Sequence, residues 1–236
     1  MGPSSPEPVQ LPLGIRWEDA ASLASFHPAG NARALAAVER LLAGEETCVY
    51  LHGPGGTGKS HLLQAAARAG SERGDPVAYL PLSERASLRP EILEGMERLD
   101  LLALDDLHCI AADAAWEEAL FHAFNRMRDA GTALLLSAAD RPDAVGLVLP
   151  DLVSRLQWGL RERLRPMDDD DKLAALRHRA RLRGLELPAE AGAYLLRRQP
   201  RDMDSLFRLL DVLDRAALAE QRRLTIPFLR RVLAAD

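Results

Sequence analysis

The stretch Gly53-Pro-Gly-Gly-Thr-Gly-Lys59-Ser60 constrains this chain of 236 residues more than any other. It fits G-x-x-x-x-G-K-[ST], follows the apolar run Cys48-Val-Tyr-Leu51 and opens a run of helix formers. That strand–loop–helix setting lets glycine N–H groups wrap phosphate oxygens while the helix N-terminus favours an anion. Gly53, Pro54, Gly55, Gly56, Thr57 and Gly58 then form the cradle. Lys59 places a point charge on the β- and γ-phosphates, and Ser60 offers its hydroxyl to Mg²⁺. Composition sharpens the assignment, because 28 of the 30 basic residues are arginine and Lys59 is one of only two lysines. A glycine-rich turn with an incidental lysine is the plain alternative, and the setting makes it the minor one.

A phosphate loop of this kind needs a sheet, and the chain supplies strand signals separated by helical ones. A helix is expected from about Asn31 to Leu42, a strand at Cys48–Leu51 and a helix from Lys59 to Ala69. Strands follow at Val77–Leu80, Leu101–Leu104 and Ala133–Leu136, with helices near Pro90–Leu99 and Trp116–Asp129 between them. Strands this apolar, without alternation, belong to a sheet covered on both faces, so the fold class is α/β with a parallel sheet. A fifth strand around Leu160–Leu164, with its alternating Arg and Leu, suits an edge. After Pro166 the strand signals stop, and four helical runs follow, from Asp168, Pro188, Asp202 and Thr225. The expected division is a flexible segment at 1–16, a nucleotide-binding base at 17–166 and a smaller all-helical domain at 167–236.

Composition narrows the function classes. With 47% hydrophobic and 28% charged residues the chain is globular, and a net charge of −5 argues against wholesale electrostatic capture of nucleic acid. The charge is uneven: net −7 over residues 1–166 and net +2 over 167–236. Cys48 and Cys109 show no CxxC and no histidine at metal-ligand spacing, which points to small core residues in a reducing compartment. The start, Met1-Gly-Pro-Ser-Ser-Pro-Glu-Pro8, has no secretory pattern, and no apolar run is long enough for a membrane span. A cytoplasmic location is the expectation.

The partner of a phosphate loop is an apolar strand ending in an acid. Leu101-Leu-Ala-Leu-Asp105-Asp106 supplies it: Asp105 as the Mg²⁺-side carboxylate, Asp106 to orient the attacking water. Acids capping the following loop are the bland reading. Ser137-Ala-Ala-Asp140-Arg-Pro142 brings a polar group beside the γ-phosphate if its strand neighbours the first, although Asp140 before Arg-Pro equally fits a turn. From composition alone, Arg155 is a surface charge.

Together these residues resemble an AAA+ ATPase of the branch of the bacterial replication initiator DnaA. Phe26-His-Pro-Ala-Gly-Asn31 resembles the segment that packs near adenine, and Gly53 to His61 resembles the branch's Walker A motif, including the histidine after the serine. Leu104-Asp-Asp-Leu107 is similar to Walker B, Asp140-Arg-Pro142 to sensor 1, and Leu149-Pro-Asp-Leu-Val-Ser-Arg155-Leu to the box carrying the arginine finger. The resemblance covers nearly the whole chain from about Trp17. Initiators continue past the lid into a helix-turn-helix domain, and none follows Leu233 here, so the similarity is to the Hda family of DnaA-related regulatory inactivators. In that family a lone AAA+ module follows a short peptide that docks on the β sliding clamp.

Gln10-Leu-Pro-Leu-Gly-Ile15 is similar to that peptide. Pro12 biases Leu11 to an extended backbone, Leu11, Leu13 and Ile15 suit hydrophobic pockets, and Gln10 fixes register. Two departures stand out. Family members often carry a degraded Walker A motif, whereas this one is intact. The position of the sensor 2 arginine holds Asp204, with Arg201 one helical turn away as the candidate substitute.

The resemblance implies an adenine nucleotide (ADP or ATP) and Mg²⁺, with the β clamp and initiator DnaA as partners and DNA met through the clamp. It further implies that Arg155 reaches ATP held by the initiator and ends initiation, with the chain's own hydrolysis weak and homo-oligomerisation left open. A helicase-loader-type AAA+ ATPase is the alternative, and a P-loop small-molecule kinase a more distant one.

Overall fold

The computed structural model describes residues 21–200, 202–220 and 223–234. Gln10, Leu11, Leu13 and Ile15, expected to form a clamp-binding peptide, lie outside them, together with Trp17 and Arg201.

Four short runs rich in Leu, Ala, Val and Tyr form the strands β1 (Cys48–His52), β2 (Val77–Pro81), β3 (Leu101–Asp105) and β4 (Ala133–Ala138), and the charged run Leu-Arg-Glu-Arg forms β5 (Leu160–Arg163). They lie side by side in the order β2-β3-β4-β1-β5, every pair parallel. β1 and β3 are buried at every residue, which is why neither alternates between apolar and polar. β5 forms one edge and does alternate, exposing Arg161 and Arg163 and burying Glu162.

Successive side chains leave a strand on opposite faces, so β1 to β4 each feed two cores. On one face Val49, Leu51, Ala103 and Leu135 pack with Val38 and Leu41 of α1 (Ala32–Leu42) and Leu62, Leu63 and Ala66 of α2 (Lys59–Arg73). On the other, Tyr50, Leu102, Leu104 and Leu136 meet Leu120, Phe124 and Met127 of α3 (Ala114–Ala130). α4 (Pro150–Leu156) joins that second core through Leu152 and Leu156.

The expected helix over Pro90–Leu99 is not formed. Two separate 3₁₀ turns, Pro90–Leu93 and Met96–Arg98, stand in its place. Gly95 between them takes the left-handed conformation, φ +79°, which ends a right-handed ladder. Leu93 of the first turn and Met96 of the second are both buried in the core on the α3 side of the sheet.

After β5 a third core is assembled by α5 (Asp169–Leu182), α6 (Ala189–Arg198), α7 (Met203–Glu220) and α8 (Ile226–Leu233), centred on Leu176, Leu195, Leu206, Leu210 and Leu229. The acidic run Asp168–Asp171 starts α5: the Asp168 carboxylate accepts from the Asp171 N–H at 2.8 Å, a capping box. Among the described residues no helix is long and apolar enough to cross a membrane.

Candidate nucleotide site

β1 ends at His52 beside β4 and β5, and the loop that follows is shaped by what its backbone approaches. At Gly53, φ +150°, a Cβ would sit 2.4 Å from the Leu164 carbonyl oxygen, so no side chain fits. Gly58, φ +92°, starts α2 against the Phe26 ring, where a Cβ would come within 2.9 Å of Cε2. Thr57, buried, closes the turn by donating its hydroxyl to the Pro54 carbonyl at 2.9 Å.

Lys59 is only 6% exposed, and its Nζ donates to the Gly53 and Pro54 carbonyls at 2.8 and 2.9 Å. Burial lowers its pKa, opposed by the charges of Asp106 and Asp105. An ammonium desolvated this far and held by neutral carbonyls has a strong electrostatic preference for anionic oxygen. The cradle therefore fits a nucleotide's phosphates.

The loop forms one wall of a cleft, through Gly55, Gly56, Gly58, Lys59 and Ser60. Phe26, His27 and His61 line it as well. A short strap, residues 22–27, is pinned there: Ser22 and Ser25 cap each other, and His61 Nε2 lies 3.2 Å from Ser25 Oγ and 3.1 Å from the Ser22 carbonyl. The strap's far end is held by Asn31, whose side-chain amide donates to the Arg165 carbonyl at 3.0 Å and accepts from the Arg165 N–H at 2.8 Å. His61 thus fastens the segment beside the cleft.

The acid pair at the end of β3 divides. Asp105 is 2% exposed; its carboxylate accepts from Tyr79 Oη at 2.8 Å, from the Ser137 hydroxyl and from the Asp106 N–H at 3.1 Å. Asp106 turns into the left-handed region, φ +58°, and lines the cleft. Burial and the neighbouring Asp105 charge raise its pKa, against His108 and Lys59. Asp140 is exposed and does not line the cleft. Its carboxylate accepts from the Arg141 N–H at 2.7 Å and its carbonyl from Tyr50 Oη at 2.9 Å, so it shapes the turn. Among the described residues no group of three or more His, Cys, Asp or Glu is gathered for a metal. Mg²⁺ beside a nucleotide asks for less, since one carboxylate, one hydroxyl and phosphate oxygens suffice.

Sequence reasoning missed the fourth wall. Ala175 and Arg179, one turn apart on α5, and Met203 and Phe207, one turn apart on α7, close the cleft from the helical side, with Met167. Arg179 is 6% exposed, its guanidinium 4.3 Å from the Phe207 ring centroid. The only sequence signal for these residues is the pair of i, i+4 spacings. Tyr79, which holds Asp105, gives none.

Arg155 lies elsewhere, in the last turn of α4, and does not line the cleft. It makes no ion pair with any described residue; its guanidinium stacks 4.1 Å from the centroid of the exposed Trp158 ring.

Residues 26–163 match the family model of the bacterial DnaA ATPase domain, and residues 169–233 match that of the Hda lid domain. Among solved structures, the AMPPCP-bound DnaA from Aquifex aeolicus is 25% identical with a TM-score of 0.70, covering 84% of this chain and 67% of that one. Domain III of the Thermotoga maritima initiation protein DnaA superposes with a TM-score of 0.72 at 21% identity, over 93% of this chain and 98% of that one. Thermotoga maritima RuvB, a branch-migration motor, shares the fold at 20% identity with a TM-score of 0.65, over 91% of this chain and 72% of that one. With more than half its length matched, the chain belongs to the DnaA family of AAA+ ATPase domains and carries a helical lid of the Hda type.

Proposed function

We propose that this chain is a cytoplasmic negative regulator of replication initiation: held by an adenine nucleotide in its own cleft and tethered to the β sliding clamp by Gln10–Ile15, it presents Arg155 to ATP bound by the initiator DnaA. In this reading residues 1–16 are the tether, 17–166 the base and 167–236 the lid. The observation that carries it is the placement of Arg155. A guanidinium outside its own cleft, unpaired among the described residues and held at the surface by a ring, cannot serve its own phosphates but can serve a neighbour's.

The chain's own residues divide the work. Gly53 to Gly58 offer backbone N–H groups to the phosphates, with Lys59 as point charge. Mg²⁺ would be held through Ser60 and Asp105, and would neutralise phosphate charge when bound. Asp106, which lines the cleft, orients the attacking water. Arg201 stands in for the sensor 2 arginine, and Asp140 shapes the sensor 1 turn between β4 and α4. An arginine finger stabilises the charge of a transferring phosphoryl group and supplies on the order of 10³–10⁵ in rate elsewhere.

The test is hydrolysis of ATP on DnaA with clamp loaded on DNA. Wild type stimulates it; Arg155→Ala folds and is captured by the clamp but loses stimulation, and Gln10→Ala loses capture. Stimulation equal to wild type in Arg155→Ala rejects the finger. Capture equal to wild type in Gln10→Ala rejects the tether.

A further inference from the structure

Arg155 is a long side chain at a helix end, and left to itself it would sample many rotamers. The structure shows what limits it. Trp158 follows three residues later, and its N–H donates to the Arg155 carbonyl at 3.1 Å, so the two side chains leave the same turn on one side. The backbone at 158 has little room to shift. A Cβ on the next residue, Gly159, would stand 2.7 Å from the Cys48 carbonyl oxygen and from its Sγ, so the chain lies flat on β1 there. Upstream, α4 is seated by Leu152 and Leu156, both fully buried. The backbone that carries the indole is therefore held, and the residue stays 60% exposed.

Two guanidiniums use that ring: Arg155 at 4.1 Å from the centroid, and Arg128 from the end of α3 at 5.6 Å. Arg128 is also tied to Asp129 at 2.9 Å. Arg155 has the closer seat and no competing carboxylate among the described residues. Among the described residues the Trp158 ring joins none of the three cores, so their packing does not call for an indole at 158.

We propose that Trp158 is the positioning residue of the arginine finger: its ring holds the Arg155 guanidinium in one arc, so that the ordering of a flexible side chain is done before a partner arrives. This rests on the reading of Arg155 as a finger. Pre-ordering acts on the chemical step rather than on docking, because the guanidinium is needed in one place only when phosphoryl charge develops. A cation held over a ring at the surface keeps its charge and remains free to leave for a phosphate.

The experiment measures ATP hydrolysis on DnaA as a function of the concentration of the full chain, for wild type, Arg155→Ala, Trp158→Ala and Trp158→Phe, with thermal unfolding of each. Trp158→Ala is expected to lower the maximal stimulated rate about fivefold, at an unchanged half-saturating concentration and unfolding midpoint. Trp158→Phe recovers most of the loss, since a phenyl face still seats a guanidinium. In Arg155→Ala, adding Trp158→Ala costs nothing further. A maximal rate unaltered in Trp158→Ala, or a loss seen only as weaker half-saturation, overturns the positioning role while leaving the finger. Full stimulation by Arg155→Ala removes the finger, and the positioning role with it.

Discussion

Asp106 occupies a backbone conformation that few side chains accept, φ +58°, immediately after a buried acid and facing a buried lysine. Its raised pKa means that the ionised form costs the folded protein more than it costs the unfolded chain, even after the help of His108 and Lys59. Asparagine keeps the shape, tolerates the left-handed region and removes the charge. Asp106→Asn should therefore raise the thermal midpoint at pH 7. The gain is full above the folded pKa of Asp106 and closes as pH falls to the unfolded value near 3.8, below which the wild-type side chain is neutral in both states. Melting curves of the two proteins at pH 7.5, 5.5 and 4 check this; a gap that widens on acidification contradicts it. If Asp106 also orients the attacking water, the stabler variant will be the slower ATPase, the usual exchange at a site that keeps an unfavourable charge for its chemistry.

At the scale of elements, the placement of α4 depends on a side chain from a different helix. Glu117, in the first turn of α3 and fully buried, receives the N–H groups of Ala112 at 2.8 Å, Val148 at 2.9 Å and Leu149 at 2.7 Å. One carboxylate thus holds Ala112, φ +62°, on one side and the residues leading into α4 on the other. Glu117→Ala should cost about 3 kcal/mol, because three donors lose a charged acceptor. Glu117→Gln should cost nearly as much: both oxygens are in use, and an amide nitrogen in place of one would face donors with donors. Amide exchange at Val148 and Leu149 should accelerate in both variants ahead of the β1 and β3 amides; unaltered protection there would mean that α4 is held by Leu152 and Leu156 alone. Such contacts mark the limit of what the sequence discloses. β1 to β4 were legible because burial on both faces leaves mainly apolar residues, β5 because its alternation fits an edge, and the phosphate loop because its glycines and lysine answer local demands. Glu117 precedes another glutamate on an amphipathic helix and reads as a solvated face; only the folded chain reveals its three partners. The helix expected at Pro90–Leu99 failed for the opposite reason, since composition favoured it and an extended Glu94 followed by a left-handed Gly95 decided otherwise.

Across the whole molecule, the lid meets the base through the strap at residues 22–27, the same strap that His61 fastens to α2. His178 of α5 has Nε2 2.7 Å from the Ala24 carbonyl, and its ring lies 6.0 Å from that of His27, which lines the cleft. Phosphate loop, strap and lid therefore share one seam, and a ligand that bridges them stabilises all three by mass action, about 2.7 kcal/mol at a concentration 100 times its dissociation constant. The same seam carries a pH dependence. Burial, and then the charge of His178, push the pKa of His27 below its usual 6.5, with Asp171 opposing and Arg181 adding to the shift. A histidine that resists protonation when folded contributes stability that is intact above pH 6.5 and is lost as pH falls from there through its folded value, because the unfolded chain takes the proton first. His52 is shifted the same way by burial, amid Arg163, Arg141 and Arg161, but at the end of β1 and away from the lid. A melting curve alone would merge the two, whereas local exchange separates them. Between pH 7.5 and 5.5, after correction for the intrinsic pH dependence of exchange, amides of the strap and α5 should lose protection in wild type and keep it in His27→Asn, with the β1 amides changing alike in both proteins. Equal loss along the strap in the two proteins would place the acid sensitivity outside His27, and would leave His27 as a wall of the cleft and nothing more.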